Sequence, residues 1–578
     1  MIQRGIAVIE KDSLLVMKDK GKVRTLYNFP DIENSNSTLG IAHTRWATHG
    51  KPSKENSHPH MDNSSTFAVV HNGIIENYKS LREFLKGKGY HFLSETDTEV
   101  IPNLIHYYYT KDSSILSAIK KACEDLKGSY AIQVLSKECP DRIFIVRKDS
   151  PLVVGKGVDE NYIASDIPAI LSFTKDFYLL NDNEFVEIYK DHIVFYDKDL
   201  NKIEKEIKNI EWDATSAEKD GYEDYMLKEI HEQPHSIRET IGAKLNQEKV
   251  EFSDLVLSKE YLSSLHKIYI VACGTAMHAG LVAKTVFEKL TKIPVEVDIA
   301  SEFRYREPLI DEKTLAIYIS QSGETADTIA ALKLAREKGA KTLAVSNVIG
   351  SSIVREADHT IYTHAGPEIA VASTKAYTSQ VTLLCILAIY FAEVLEIQTE
   401  MISALKEDLL NLPSQLQEAL KNIEPIKEFA GEVYEEHDMF FLGRGSDWSV
   451  ALEGSLKLKE ISYIHSEAYA SGELKHGPIA LIEDGVTVIS ILTNPKLIEK
   501  SISNIQEVIS RGAKTLVITN QPLENTNFDY IINIPNTNPL ISPILSVIPL
   551  QLIAYYISKQ KGLDVDKPRN LAKSVTVE

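Results

Sequence analysis

At 578 residues the chain exceeds what one hydrophobic core supports, so two to four domains are expected. Its 43% hydrophobic and 25% charged residues are ordinary for a soluble globular protein. A net charge of −19 argues against a nucleic-acid binder, which would carry a basic patch or stripe.

From Met1 to about Leu200 short β-rich runs alternate with turn residues: Gly5–Glu10, Thr66–His71, Ser129–Leu135, Arg142–Val146 and His192–Tyr196. Helical spacing is confined to patches such as Tyr78–Lys88 and Thr98–Tyr109, so an α+β domain built on antiparallel sheet is expected. The cysteines Cys123, Cys139, Cys273 and Cys385 are scattered, without a Cys-x-x-Cys pair, which points to a reducing compartment. No signal-peptide pattern opens the chain. A polar stretch, Asn201 to Glu223, separates this half from the next.

Beyond it the pattern becomes strand, turn, helix, repeated, which implies parallel sheets flanked by helices. Lys267–Ala272 reads as a strand feeding a Gly-Thr turn and a helix. Thr314–Ser320 reads as a strand feeding Ser320-Gln321-Ser322-Gly323-Glu324-Thr325 and a helix over Asp327–Lys338. The segment Ala340-Lys-Thr-Leu-Ala-Val-Ser-Asn347 recurs as Ala513-Lys-Thr-Leu-Val-Ile-Thr-Asn520, an offset of 513 − 340 = 173. The turn at Gly274 recurs at Gly445, an offset of 445 − 274 = 171. Two landmarks in the same order at nearly equal spacing indicate a duplication. The longest strongly apolar run, Leu383 to Ala392, is too short to span a bilayer and reads as a core helix.

The Ser320–Thr325 loop is built to hold an anion. Three hydroxyls and a glycine sit where a buried strand meets a helix N-terminus, with Thr325 placed as N-cap. Glu324 is expected to point away from the anion. The second repeat has Thr493-Asn494-Pro495 at the corresponding place, so only the first kept the cradle.

On the helix over Trp448–Ile461, Glu453, Lys457 and Glu460 share one face. Three such charges alone read as a solvated ion-pair face. The following Gly472-Glu473-Leu474-Lys475-His476-Gly477-Pro478, with its histidine between Gly and Pro in a tight loop, turns the reading toward proton shuttling on a sugar. The tail, Asp564 to Glu578, sets Lys573 in a partly apolar context. A lysine in a dry site can form a Schiff base, whereas one in a frayed tail does nothing, and the pattern leaves both readings open.

Together these segments resemble the glutamine–fructose-6-phosphate aminotransferase (isomerizing) family, the glucosamine-6-phosphate synthases. Gly40-Ile-Ala-His-Thr-Arg-Trp-Ala-Thr-His-Gly50, His71-Asn-Gly73 and Glu95-Thr-Asp-Thr-Glu99 look like its glutaminase half. Ser320–Thr325, Val371-Ala-Ser-Thr-Lys375, Gly472–Pro478 and the tail look like its isomerase half. The resemblance implies an α+β N-terminal-nucleophile-hydrolase-like glutaminase domain over 1–210 and a linker with a first helix over 211–255. Two α/β sugar isomerase (SIS) domains follow over 256–400 and 401–563, and a tail over 564–578 closes the sugar site. It implies that glutamine is hydrolysed and that its ammonia aminates fructose 6-phosphate to glucosamine 6-phosphate, the first step of the hexosamine pathway.

By the same resemblance, Arg45 and Asp97 clamp glutamine, and Asn72 and Gly73 form the oxyanion hole. The loop holding Trp46, Thr48 and His49 closes over the substrate, with Trp46 gating an ammonia channel. Thr275, Ser320, Gln321, Ser322, Thr325, Val371 and Ser373 hold the sugar phosphate. Lys573 forms the imine, His476 assists ring opening from the partner subunit of at least a homodimer, Glu460 moves the proton between C1 and C2, and Lys457 supports it. No metal or organic cofactor, nucleic acid or membrane is implied, and the expected location is cytoplasmic. The family's glutaminase nucleophile is an N-terminal cysteine, whereas this sequence begins Met1-Ile-Gln-Arg-Gly-Ile-Ala-Val8. An upstream start is one reading. An ammonia-dependent synthase or a plain hexose-phosphate isomerase is the other.

Overall fold

In the computed structural model, which describes residues 3–10, 13–20, 35–45, 53–167, 169–210, 219–253, 255–397, 399–523 and 527–576, the strand Phe67–Ile75 feeds two cores at once. Phe67 and Val69 enter one, Ala68 and Val70 the other. Successive strand side chains face opposite ways, so its apolar first half, Phe67–Val70, must be covered on both faces. One cover is the helices Tyr78–Lys86, Val100–Asp112 and Ile115–Asp125, which contribute Leu85, Leu104 and Ile119. The other is the antiparallel sheet of Ser13–Lys20, Gln3–Glu10 and Gly40–Arg45, which contributes Ala7 and Ile41.

These elements belong to a unit comprising Met1–Ala214 and Val575–Glu578. Its seven-stranded sheet is antiparallel and runs from Lys202–Ile203 at one edge to His60–Met61 at the other. Every run expected as a strand in this half lies within a strand or overlaps one, and both helical patches are helices with ends moved by a few residues.

The second unit is Thr215–Ser574. It holds two five-stranded sheets, parallel throughout. The first runs Val295–Ile299, Lys267–Ala272, Thr314–Ser320, Lys341–Ser346, His359–Tyr362. The other runs His465–Ala470, Asp438–Gly443, Thr487–Leu492, Lys514–Thr519, Tyr530–Asn533. Both take the order second, first, third, fourth, fifth strand of the repeat, so the duplication read from the sequence is a duplication of topology. One continuous core joins the repeats: Ile268, Ile317 and Leu343 of the first share it with Ile489, Leu516 and Ile518 of the second.

The helix Lys375–Val394 threads this core. It is longer than its apolar run, because Lys375, Thr378, Gln380 and Thr382 are polar yet buried. The two threonine hydroxyls are satisfied within the core: Thr382 donates to Thr378 O at 2.8 Å and Thr378 to Gln233 Oε1 at 3.0 Å. By length and composition the helix could cross a membrane, but 83% of its apolar window is buried inside the protein, as a core helix requires.

Candidate active site

The strand Thr314–Ser320 is buried along its whole length and delivers Ser320 to the N-terminal end of the helix Ala326–Glu337. Between them the loop is folded on its own hydroxyls. Gly323 N–H donates to Ser320 Oγ at 3.0 Å, Glu324 N–H donates to Ser322 Oγ at 3.2 Å, and Ser320 Oγ lies 3.1 Å from Thr325 Oγ1. Thr325 is the N-cap residue, yet its hydroxyl makes no cap bond. The first-turn amides of that helix are thus not taken by their own cap, which suits an incoming anion.

Gly323 has φ +69°, and a Cβ there would lie 2.0 Å from Ser351 Oγ, so only glycine fits this approach of the loop to its neighbour. Glu324 turns away as expected: its Oε1 accepts from Ser352 N–H at 2.8 Å, at the start of the helix Ser352–Glu356.

A second cluster is carried by the second repeat and reaches Thr275 of the first. The helix Ser446–Ser462 carries Glu453 and Lys457, both fully buried, and Glu460, at 19% side-chain exposure. This is no solvated ion-pair face. Lys457 Nζ lies 2.6 Å from Glu460 Oε2 and 3.5 Å from Glu453 Oε1, and donates to Thr275 Oγ1 at 3.0 Å. Thr275 donates in turn to Glu453 Oε1 at 3.1 Å, and Glu453 Oε2 lies 2.8 Å from His278 Nδ1. Burial works against the Lys457 charge, but Glu460 and then Glu453 outweigh it and hold the ammonium above the ordinary lysine range. Thr275 therefore sits on this carboxylate–ammonium cluster.

The tail is anchored rather than frayed. Asp566 caps the helix Tyr225–His231, accepting from Tyr225 N–H at 3.0 Å and Met226 N–H at 2.8 Å. Its backbone carbonyl accepts from Val371 N–H at 3.0 Å. Arg569 lies over the Tyr463 ring at 4.0 Å. Lys573 is thereby brought to Glu368, whose carboxylate it pairs with, and to Ala370 O at 2.8 Å. Glu368 is fully buried as a side chain, and its other oxygen accepts from Thr374 N–H at 2.8 Å and Ala376 N–H at 3.0 Å. Burial alone would raise the Glu368 pKa, but Lys573 and these amides pull it below the ordinary carboxylate range. Val371 and Ser373 are half-buried in the loop between Glu368 and the helix Lys375–Val394. Lys375 pairs with Glu232 at 2.7 Å.

His476 ends the 3-10 turn Glu473–His476 and is exposed. It lies apart from the Lys457 cluster in hydrogen bonding: among the described residues no hydrogen bond or ion pair joins them. Glu368 and His278 join these clusters without having been singled out in the sequence, whereas Glu453 was already placed on the charged helix face.

The second repeat fills its own cradle. Asp447 follows the Gly445 turn by two residues, as Ala276 follows Gly274. Its carboxylate accepts from Thr493 N–H at 3.0 Å and from the Thr493 hydroxyl, and Thr493 begins the segment that replaces the Ser/Gly loop. Burial raises the Asp447 carboxyl to about 6. An internal carboxylate thus bonds the Thr493 segment of the second repeat, where the corresponding first-repeat position is Ala276.

In the first unit Asn72 and Gly73 lie in the strand Phe67–Ile75. Asn72 Oδ1 is 2.7 Å from His43 Nε2. Gly73 has φ +132°, and a Cβ there would strike Ser129 O at 2.1 Å. Asp97 is buried and accepts from Ile75 N–H at 2.8 Å, two residues beyond Gly73. His71 is buried, and burial lowers its pKa against the pull of Asp97. Arg45 ends the strand Gly40–Arg45. Its side chain, and Trp46, Thr48 and His49, lie outside the described residues. Among the described residues no group of three or more His, Cys, Asp or Glu is placed to hold a metal ion.

Residues 261–390 and 432–558 match the SIS domain family, and residues 43–172 match the glutamine amidotransferase domain family. The chain is 55% identical over 580 residues to glutamine–fructose-6-phosphate aminotransferase (isomerizing) of Clostridium perfringens, covering 99% of this chain and 95% of that one. It is 55% identical over 578 residues, with the same coverage, to the protein of that name from Clostridium tetani. Among solved structures, the C-terminal domain of glucosamine-fructose-6-phosphate aminotransferase from Francisella tularensis superposes with a TM-score of 0.58 at 41% identity. That match covers 61% of this chain and 100% of that domain.

Proposed function

The chain belongs to the glutamine–fructose-6-phosphate aminotransferase (isomerizing) family, and from that premise we propose which residues carry its reaction. It is an enzyme that converts D-fructose 6-phosphate and L-glutamine to D-glucosamine 6-phosphate and L-glutamate.

Ser320, Gln321, Ser322 and Thr325 hold the phosphate at the helix N-terminus, with Thr275, Val371 and Ser373 completing the pocket wall. His476 assists opening of the sugar ring. Lys573, as the free amine, adds to the C2 carbonyl beside Glu368, and loss of water leaves an imine. Ammonia then displaces the lysine amine from C2. Glu460 takes a proton from C1 and returns it to C2, leaving an aldehyde at C1 and an amine at C2. Lys457 holds Glu460 in place and balances its charge. In the glutaminase half, Arg45 and Asp97 clamp glutamine, Asn72 and Gly73 stabilise the oxyanion, and Trp46, Thr48 and His49 serve the same glutamine site. His476 stands exposed, so it serves a second copy in a homodimer. The reading places the enzyme in the cytoplasm, with no membrane or nucleic-acid partner.

The observation that carries this reading is the fixing of a chain-end lysine on a buried carboxylate and a carbonyl, Lys573 on Glu368 and Ala370. A lysine without a task gains nothing from such a site, since burying charge is costly. The test is Lys573→Ala in the full chain. Glucosamine 6-phosphate formation is expected to vanish with either glutamine or ammonium as nitrogen source, while binding of fructose 6-phosphate persists. Synthesis that survived the substitution would refute the imine assignment.

A further inference from the structure

Glu229 stands on the helix Tyr225–His231, which lies in the segment leading into the isomerase repeats. It is 2% exposed, and its Oε1 accepts from Ile369 N–H at 2.5 Å and Ala370 N–H at 3.1 Å. These two amides belong to the turn that carries the Lys573 anchors: Glu368 precedes Ile369, and the Ala370 carbonyl is the second acceptor of the Lys573 ammonium. The other Glu229 oxygen is buried and, among the described residues, has no hydrogen-bond partner. A carboxyl in such a place has been desolvated for two amide bonds, which a neutral side chain could make.

We propose that Glu229 is a positioning residue for Lys573: by gripping the 369–370 peptide it aims the Ala370 carbonyl and the Glu368 carboxylate, and through them the lysine amine. This rests on the assignment of Lys573 as the imine-forming residue. Glu229 also sets the charge around that amine. Burial, with the nearby Glu368 charge, pushes its carboxyl up to about 8, and Lys573 and Lys375 pull the other way. The remaining charges around it are already paired, Lys375 with Glu232 and Lys228 with Asp220 and Glu232. Around neutral pH two carboxyls thus share one lysine while only Glu368 is ionised. At higher pH a second negative charge forms beside Lys573 as Glu229 ionises.

The experiment is borohydride trapping of the imine with fructose 6-phosphate on the full-length enzyme, with the labelled peptide identified by mass spectrometry. Glu229→Ala is expected to slow trapping by about 10- to 100-fold, the size of effect a misplaced reacting group brings, with much smaller change in the apparent affinity for the sugar. Glu229→Gln keeps an oxygen for the two amides and should trap at close to the parent rate at pH 7. In the parent, the trapping rate should bend near pH 8, where Glu229 ionises, and Glu229→Gln should lack this bend. A label on any residue other than Lys573 overturns the imine assignment itself. A label on Lys573 with Glu229→Ala trapping at the parent rate overturns the role of Glu229 alone. If Glu229→Ala does not fold, Glu229→Leu, which keeps the bulk and offers no acceptor, is read in its place, and trapping on Lys573 at the parent rate overturns the role.

Discussion

Thr275 accepts a hydrogen bond from Lys457 at 3.0 Å, so a single hydroxyl joins the two repeats at the centre of the isomerase unit. The same hydroxyl donates to Glu453 at 3.1 Å and so mediates between a buried cation and a buried anion 3.5 Å apart. Thr275→Val keeps the shape and removes both bonds. It should destabilise the protein by about 1–3 kcal/mol, the cost of leaving buried polar groups unmade, and lower turnover with either nitrogen source. Chemical unfolding and steady-state kinetics measure the two effects, and an unchanged unfolding midpoint would contradict the arrangement.

Lys457 is held by charge from two sides, and removing it strands Glu453 and Glu460. Lys457→Met matches its length but not its charge. A loss of roughly 3–5 kcal/mol is expected, as for breaking other buried ion pairs, with synthesis abolished. Ammonium cannot rescue this variant, because the defect lies in sugar chemistry and not in ammonia supply. Rescue by ammonium would place Lys457 outside the isomerisation.

Gly323 is the steric pivot of the phosphate loop. With φ +69° and Ser351 Oγ 2.0 Å from where a Cβ would stand, Gly323→Ala must displace the loop or the Ser351 turn. The backbone strain alone is worth on the order of 1–2 kcal/mol. The apparent affinity for fructose 6-phosphate should weaken at least about 10-fold, a factor that corresponds to roughly 1.4 kcal/mol. Titration with the sugar phosphate on the purified variant reads this directly, and parent-like affinity would contradict it.

The parts legible in the sequence were those whose chemistry is local. A strand, a hydroxyl-rich turn and a helix start announce an anion cradle within a dozen residues, as at Ser320–Thr325. Repeated spacing announced the duplication. Glu368 and Glu229 carry no such signal: each is a lone glutamate, and its meaning comes from residues 368 − 229 = 139 positions apart meeting in space. His278 reads as an ordinary helix residue until Glu453 of the other repeat lies 2.8 Å from it. The helix Lys375–Val394 outran its apolar run because buried threonines satisfied their hydroxyls within the core, which periodicity counts as polar.

Asp447 supplies a prediction whose sign follows from its raised pKa. In the folded chain the carboxyl titrates at about 6, above its ordinary value of 3.8, because burial disfavours the charge more than the Thr493 bonds restore it. The folded state therefore binds this proton more tightly than the unfolded state between about pH 4 and pH 6. Stability from the protonated form is fully present below about pH 4 and is lost as pH rises through 6. The loss reaches up to about 3 kcal/mol, since each pH unit between the folded and unfolded values is worth about 1.4 kcal/mol. Asp447→Asn retains an oxygen for the Thr493 amide and does not titrate. The parent should therefore lose stability relative to Asp447→Asn as pH rises from 4 to 7. Urea unfolding of the full-length pair across that window gives the difference at each pH. A gap that stayed constant would mean that Asp447 is not the buried carboxylate that fills the second repeat's cradle.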